Sequence, residues 1–135
     1  MTRVDFYLGG DGVSRETLAC RLAETAYRRG HKVFLWVEPE AVPQWDALLW
    51  TFSDTSFVPH ATAERESDEP VLIGSTLGPD GDVLIPLATA PPASVAGFTR
   101  VLEPVGVSDP EKERSRLRFR HYRDLGLTPT VHTLR

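Results

Sequence analysis

A run of consecutive apolar residues, Val33 to Val37, constrains the fold of this chain more than any other feature. Continuous apolar runs of this length are typical of strands that are buried on both faces, as in parallel sheets with helices on each side. The run follows almost directly on Arg28-Arg29-Gly30, a pattern in which Gly occupies the first position after a helix. The order helix, glycine, buried strand therefore predicts an α/β protein.

The residues upstream complete a strand-helix-strand unit. Val4 to Leu8 is an apolar segment that ends at Gly9-Gly10, and it reads as the first strand. Ser14 is the predicted N-cap, and Leu18 and Leu22 keep the helical period that leads to Gly30. Two strands joined by a helix in this way form a βαβ unit, whose strands are parallel and whose crossover is right-handed.

Further elements follow the same pattern to the end of the chain, which we expect to form one domain over residues 1–135. They are a helix from Glu40 to Phe52, strands at Val71–Ile73 and Val83–Leu87, a short helix near Ser94–Phe98, a strand at Arg100–Val105 and a last helix with Asp109 as its N-cap, running to about Leu125. Pro86 cannot donate to a ladder and is expected at a strand end or an exposed side. The predicted fold class is α/β, with a mostly parallel sheet covered by helices on both faces.

Charge is distributed unevenly along the chain. The formal net charge is -4, which argues against a general nucleic-acid binder, yet 6 of the 15 basic residues lie between Glu111 and Arg123. Such an asymmetry indicates a local anion-binding patch on an otherwise acidic protein. Cys20 is the only cysteine and no apolar run is long enough to span a bilayer, so a cytoplasmic location is the simplest expectation.

Motifs for catalysis, metals or cofactors are missing from the sequence. There is no phosphate-loop or dinucleotide fingerprint, and the turn at Gly9–Gly12 lacks the lysine and hydroxyl that a phosphate loop uses. The four histidines are dispersed, and Cys20 reads as a small buried apolar residue on the first helix. We therefore expect no enzyme, metal or cofactor; a small nucleotide-binding module or enzyme is the alternative that the α/β fold suggests.

The last helix carries a one-sided set of basic and aromatic residues. At 100° per residue, about one third of its circumference holds Lys112, Arg116, Phe119, Arg120 and Arg123. Leu117 and Leu125 fall on the other side, which is expected to face the sheet. The pattern fits a receptor for an anionic peptide with a hydrophobic end group equally well as a solvated arginine-rich face with Phe119 turned inward. A nucleic-acid phosphate site is a third interpretation.

A second aromatic segment, LLWTFSDTSFVPH at residues 48–60, surrounds a polar turn. Leu48, Leu49 and Phe52 are expected in the core. Trp50 and Phe57 bracket the turn, and we expect them to be at least partly exposed together as an apolar protein-docking patch.

An ordered set of motifs makes the chain resemble the chi accessory subunit family of bacterial DNA polymerase III. The motifs are FYL (6–8), RRGHKV (28–33), LLW…SFVPH (48–60), DVLIPL (82–87), RVLEPV (100–105) and RLRFRHYRDLG (116–126). The residue types and spacing of LW…SFVPH have no generic secondary-structure explanation, so it is the most specific of them. The resemblance extends over nearly the whole length.

The resemblance implies a three-layer α/β/α sandwich without a phosphate loop, and a non-catalytic function. Such subunits link the clamp loader to DNA coated with single-stranded DNA-binding protein (SSB), whose acidic C-terminal tail ends in a phenylalanine. They also bind the small psi subunit. Carried over to this chain, the SSB-tail site comprises Lys112, Arg116, Phe119, Arg120 and Val105, and the psi site comprises Trp50 and Phe57. The family often has tyrosine and lysine at the positions of Phe119 and Arg120.

Overall fold

The computed structural model describes residues 2–10, 12–53, 58–62, 69–77 and 81–134. The strands are β1 (Arg3–Leu8), β2 (Val33–Trp36), β3 (His60–Thr62), β4 (Val71–Gly74), β5 (Gly81–Pro86), β6 (Phe98–Val105) and β7 (Thr130–Thr133). The α-helices are α1 (Arg15–Arg28), α2 (Val42–Thr51), which follows a 3-10 turn at Pro39–Ala41, and α3 (Asp109–Asp124).

The strands form one sheet in the order β3-β4-β2-β5-β6-β1-β7, and each pair of neighbours is parallel. Alternate residues of β5 point to opposite faces, so that Val83 and Ile85 pack with α1 and α2 while Leu84 packs with α3. The α/β prediction, with helices on both faces, is thereby confirmed. No helix within the described residues is both long enough and apolar enough to cross a bilayer.

Several local predictions are confirmed. Ser14 caps α1, with its hydroxyl accepting from the Thr17 amide at 3.1 Å. Gly30 ends that helix with a φ of +84°, a conformation that a residue without Cβ adopts at no steric cost. Pro86 is the last residue of β5. Cys20 is buried in the core, and desolvation raises the pKa of its thiol to about 12.

Two local predictions are wrong, the N-cap of α3 and a short helix before β6. The N-cap of α3 is Ser108, one residue before Asp109, because its hydroxyl accepts from the Glu111 amide while the Glu111 carboxylate accepts from the Ser108 amide. The helix predicted near Ser94–Phe98 is not formed. The Phe98 amide donates to the Val95 carbonyl at 3.0 Å, which closes only a turn, and Phe98 already begins β6.

Two short strands, β3 and β7, were not predicted. β7 is an edge strand that pairs with β1 alone, and most of its side chains are exposed. Besides forming a ladder with β1, the strand binds the Asp5 carboxylate of β1, whose side chain is fully buried. That carboxylate accepts hydrogen bonds from Thr130 Oγ1 and, at 2.8 Å, from His132 Nε2, and Arg100 Nε donates to it at 2.9 Å from the opposite side.

These contacts make stability depend on pH in the acid range. Burial alone would raise the pKa of Asp5, but hydrogen bonds from Thr130, His132 and Arg100 lower it from an ordinary 3.8 to about 2. Between these values the unfolded chain binds the proton more readily, so this contribution is complete above 3.8 and is lost as pH falls through about 2. Urea midpoints against pH should therefore fall more steeply for the wild type than for Asp5→Asn. A constant difference between the two proteins from about pH 5 downward contradicts the assignment.

Candidate functional site

The orientation of α3 differs from the prediction. Leu117 and Leu125 are 54% and 42% exposed, so they do not face the sheet. The side of the helix that packs on the sheet consists of Ser115, Arg118, Phe119 and Tyr122, at the i, i+3, i+4, i+7 spacing of a core-facing stripe. An arginine at the centre of this stripe made the true face unrecognisable from hydrophobicity alone.

Arg118 is buried because Glu103 of β6 neutralises it. The guanidinium Nε lies 3.0 and 2.9 Å from the two carboxylate oxygens of Glu103, and the Tyr122 hydroxyl donates to the same carboxylate. The remaining guanidinium nitrogens donate to main-chain carbonyls of Pro86 at 3.1 Å and Ala88 at 3.0 Å. Burial opposes the charged form, but the Glu103 carboxylate raises the pKa of Arg118 above its ordinary value.

This buried network fixes how α3 is rotated about its own axis. Glu103, Arg118 and Tyr122 connect the helix to β6 and to the segment after β5, with side chains that have little freedom to move. A fixed rotation places Lys112 and Arg116 beside the edge of the sheet formed by β6, β1 and β7, where they border a concave surface.

That surface is the α3 pocket, a cavity of about 230 Å³ between α3 and the sheet. Its lining residues are Phe6, Leu8, Val105, Lys112, Ser115, Arg116, Phe119 and Val131. The predicted residues Val105, Lys112, Arg116 and Phe119 are thus brought together in one site. Arg120 lies one helical turn beyond Arg116, is exposed, and is not part of the lining.

Sequence reasoning missed the floor and the far wall of the α3 pocket. The Phe6 and Phe119 rings pack at a centroid distance of 5.4 Å, so the floor is formed jointly by β1 and the helix. Phe6 and Leu8 alternate with Tyr7 along β1, and this period of two was a signal that could have placed them on the α3 face. No signal pointed to Val131, because β7 itself was not predicted.

The cations around the α3 pocket are accessible. Arg116 Nη1 lies 3.1 Å from a carboxylate oxygen of Glu113, with both side chains more than half exposed, so this pair contributes little to stability. Among the described residues, Lys112, Arg120 and Arg123 have no ion pair. The pocket therefore combines an apolar well with positive charge that an anionic ligand can use.

The second predicted surface lies at the end of α2. Trp50 is 50% exposed, which confirms that it is not simply core. Its ring packs at 4.5 Å from the ring of His60, whose side chain is fully buried. His60 Nδ1 lies 2.6 Å from the Val58 carbonyl and Nε2 lies 3.1 Å from the Asp46 carbonyl, so the ring is held from two sides. Phe57 lies outside the described residues.

Comparison with known proteins identifies the relationship. The family described as DNA polymerase III chi subunit, HolC, matches residues 1–130. The chain belongs to this family. A protein of Pseudomonas aeruginosa named DNA polymerase III subunit chi is 39% identical over 99% of this chain and 98% of the relative. Proteins of the same name from Escherichia coli K12 and Haemophilus influenzae are each 32% identical, over 91% and 80% of this chain and 88% and 79% of their own lengths.

Membership of the chi family confirms the resemblance inferred from the motifs, and it places the chain among replication accessory subunits.

The described residues of the LLW…SFVPH segment fall into a buried group and an exposed one. Leu49 is buried, and Leu48 and Phe52 are half-buried against the same core, as predicted. The ring of His60, the histidine of the motif, packs against the half-exposed ring of Trp50. The described residues of the motif therefore combine core side chains with the half-exposed ring of Trp50.

Proposed function

We propose that this chi-family protein is a non-catalytic replication subunit that binds the acidic C-terminal tail of SSB in the α3 pocket and a psi-type partner at Trp50. Through these contacts it links the polymerase III clamp loader to SSB-coated single-stranded DNA in the cytoplasm. The observation that carries the proposal is the union of an apolar well, formed by Val105 and Phe119, with the accessible cations Lys112 and Arg116 in one cavity.

The size of the α3 pocket favours a peptide end over a larger small molecule. A cavity of about 230 Å³ lies below the roughly 300–1,000 Å³ of pockets that bury drug-sized ligands. It can take a single large side chain, and the rest of a peptide would lie on the surface. A terminal phenylalanine brings both a ring for the apolar well and a carboxylate for Arg116, which can receive it through two parallel hydrogen bonds.

Charge further favours an acidic peptide with its end in this pocket. The protein as a whole carries a net charge of -4, so acidic peptides are repelled by most of its surface. Along α3, Arg120 and Arg123 continue the cationic stripe that begins with Lys112 and Arg116, and they are exposed. Acidic residues upstream of the terminal phenylalanine can lie along this stripe, although Arg120 is outside the cavity itself.

The Trp50 surface supports a second protein partner, because large exposed aromatic side chains held on a rigid base are typical of interface hot spots. Replacing Trp50 by alanine should abolish co-purification of the psi-type partner while tail-peptide affinity remains unchanged, since α2 and α3 lie on opposite faces of the sheet. Val107→Ala is the matched control. Val107 is an apolar residue as exposed as Trp50, at 53%, but it lies just before α3 and not on α2, so its loss should leave the psi-type partner bound. If the Trp50 variant lost both the partner and the tail peptide, the proposal of two separate binding surfaces would be wrong.

The tail-binding half of the proposal is tested by titrating the protein with a peptide ending in Asp-Ile-Pro-Phe. The same peptide with an amidated C-terminus, and one without the phenylalanine, are the controls. We expect both changes to weaken binding strongly, and added salt to weaken it further. Unchanged binding after both changes, or none by the unmodified peptide, contradicts the use of the α3 pocket.

A further inference from the structure

The far wall of the α3 pocket belongs to β7, an edge strand that pairs with β1 alone. Val131 of β7 lies beside Phe6 of β1 in the sheet register and lines the cavity, although it is 54% exposed. β7 has only four residues, and its side chains at 130, 131 and 133 are exposed. With so little apolar area buried, hydrophobic packing does little to hold this wall in place.

Alternation along the strand separates the wall from its anchor. Thr130 and His132 point to the sheet face opposite Val131, where both bind the buried carboxylate of Asp5. The His132 ring is also stacked on Tyr7, with centroids 5.0 Å apart and an interplanar angle of 22°. The side chains that attach β7 therefore lie on one face, and the side chain that lines the pocket lies on the other.

The acceptor itself is rigid. Asp5 is held from the side of β6 by Arg100 Nε at 2.9 Å, and Arg100 also donates to the Tyr7 hydroxyl at 2.8 Å. Arg3 Nε lies 3.1 Å from the same carboxylate. A carboxylate fixed in this way presents its remaining lone pairs to β7 in one geometry, so the bonds from Thr130 and His132 reinforce the position that the ladder with β1 gives the strand.

We propose that Asp5, Thr130 and His132 act as a latch that positions Val131 as a wall of the α3 pocket from the opposite face of the sheet. The inference rests on the proposed binding of a phenylalanine-terminated acidic peptide in that pocket. When the latch is intact, Val131 is already ordered and covers one side of the phenyl ring. When the latch is broken, the peptide must order β7 on binding, and that entropy loss weakens the complex.

A double-mutant cycle tests the latch. Thr130→Val removes the hydroxyl donor with little change of shape, and Val131→Ala removes the wall. Each single change should weaken binding of the Asp-Ile-Pro-Phe peptide by about 2- to 10-fold, the range of one ordinary hydrogen bond or a small apolar contact. Because the latch acts through Val131, Thr130→Val should have almost no further effect in the Val131→Ala background.

Two more variants separate positioning from general destabilisation. His132→Phe keeps a ring that can stack on Tyr7 but cannot bind Asp5. It should weaken binding of the peptide by about as much as Thr130→Val does. Thr128→Val makes the same chemical change at an exposed residue just before β7 and should leave affinity unchanged. Binding is measured at a temperature where urea titration shows every variant to be folded, so a lower stability by itself does not move the dissociation constant.

The outcomes distinguish the latch from the pocket. If the wild type binds the peptide and Thr130→Val and His132→Phe bind it equally well, or if the cycle is additive, the latch is wrong and the pocket stands. If Val131→Ala has no effect, Val131 is not a wall and the latch has no function. If the wild type does not bind the peptide, the proposed function fails, and the latch fails with it.

Discussion

Replacing Glu103 by alanine should lower the free energy of unfolding by about 3–5 kcal/mol, the largest effect of a single substitution that we expect in this protein. The substitution leaves the Arg118 guanidinium in the interior with neutral carbonyl partners and no anion. It also removes the acceptor of the Tyr122 hydroxyl, whose side chain is fully buried. The midpoint of a urea titration should shift strongly, while its slope stays nearly unchanged.

Glu113→Ala is the control for this prediction. Glu113 also pairs with an arginine of α3, at 3.1 Å, but both side chains are more than half exposed, so its loss should change stability by only about 0–1 kcal/mol. A double replacement, Glu103→Leu with Arg118→Met, should recover part of the loss, because an apolar pair can replace a buried ion pair, whereas the Tyr122 hydroxyl still lacks its acceptor. Equal destabilisation by Glu103→Ala and Glu113→Ala would show that burial of the Arg118 pair is not what matters.

The central sheet could be predicted because its signals are local and strong. The apolar run at Val33–Val37 required a strand buried on both faces, and the cap at Ser14 and the stop at Gly30 bounded the helix before it. These features depend on residues near one another in sequence. Burial on both faces then demanded helices on both sides, which is the arrangement found.

The rotation of α3 could not be predicted, because it depends on a residue 15 positions away in the sequence. Arg118 reads as a surface residue until Glu103 is placed opposite it, and Leu117 reads as a core residue until its exposure is known. The same limit applies to β7. It has only four residues, and its partners are residues of β1 more than 120 positions earlier in the sequence, among them Asp5.

The cations of the candidate site were grouped correctly although the predicted rotation of α3 was wrong, and the reason is geometric. Residues 112 and 116 are one turn apart on a helix and share a side whatever the rotation, so their grouping needed only the helical period. The helical period also grouped Phe119 with them, and the family resemblance supplied Val105. The sheet's contributions, Phe6, Leu8 and Val131, depended on register between strands and were found only in the structure.

Replacing Arg116 by alanine should weaken binding of the Asp-Ile-Pro-Phe peptide by about 1.5–3 kcal/mol, or roughly 10- to 150-fold. Arg116 lines the α3 pocket next to Phe119, so its guanidinium can reach the terminal carboxylate of a phenylalanine whose ring lies inside the well. Arg116→Lys keeps the charge but not the paired hydrogen bonds, so its affinity for the peptide should lie between those of the wild type and Arg116→Ala. Isothermal titration at one fixed salt concentration measures all three.

Arg114→Ala distinguishes a direct contact from a general field effect. Arg114 is exposed on the same helix and carries the same charge, but it is not part of the α3 pocket lining. If Arg116 binds the terminal carboxylate, Arg114→Ala should change affinity little, and amidating the peptide should remove most of the difference between wild type and Arg116→Ala. Equal losses from the two alanine variants would mean that the peptide responds to the net charge of α3 and that no single arginine holds its end. Because Glu113 competes for Arg116 in the free protein, Glu113→Gln should tighten binding modestly if the contact is direct and leave its dependence on the terminal carboxylate intact.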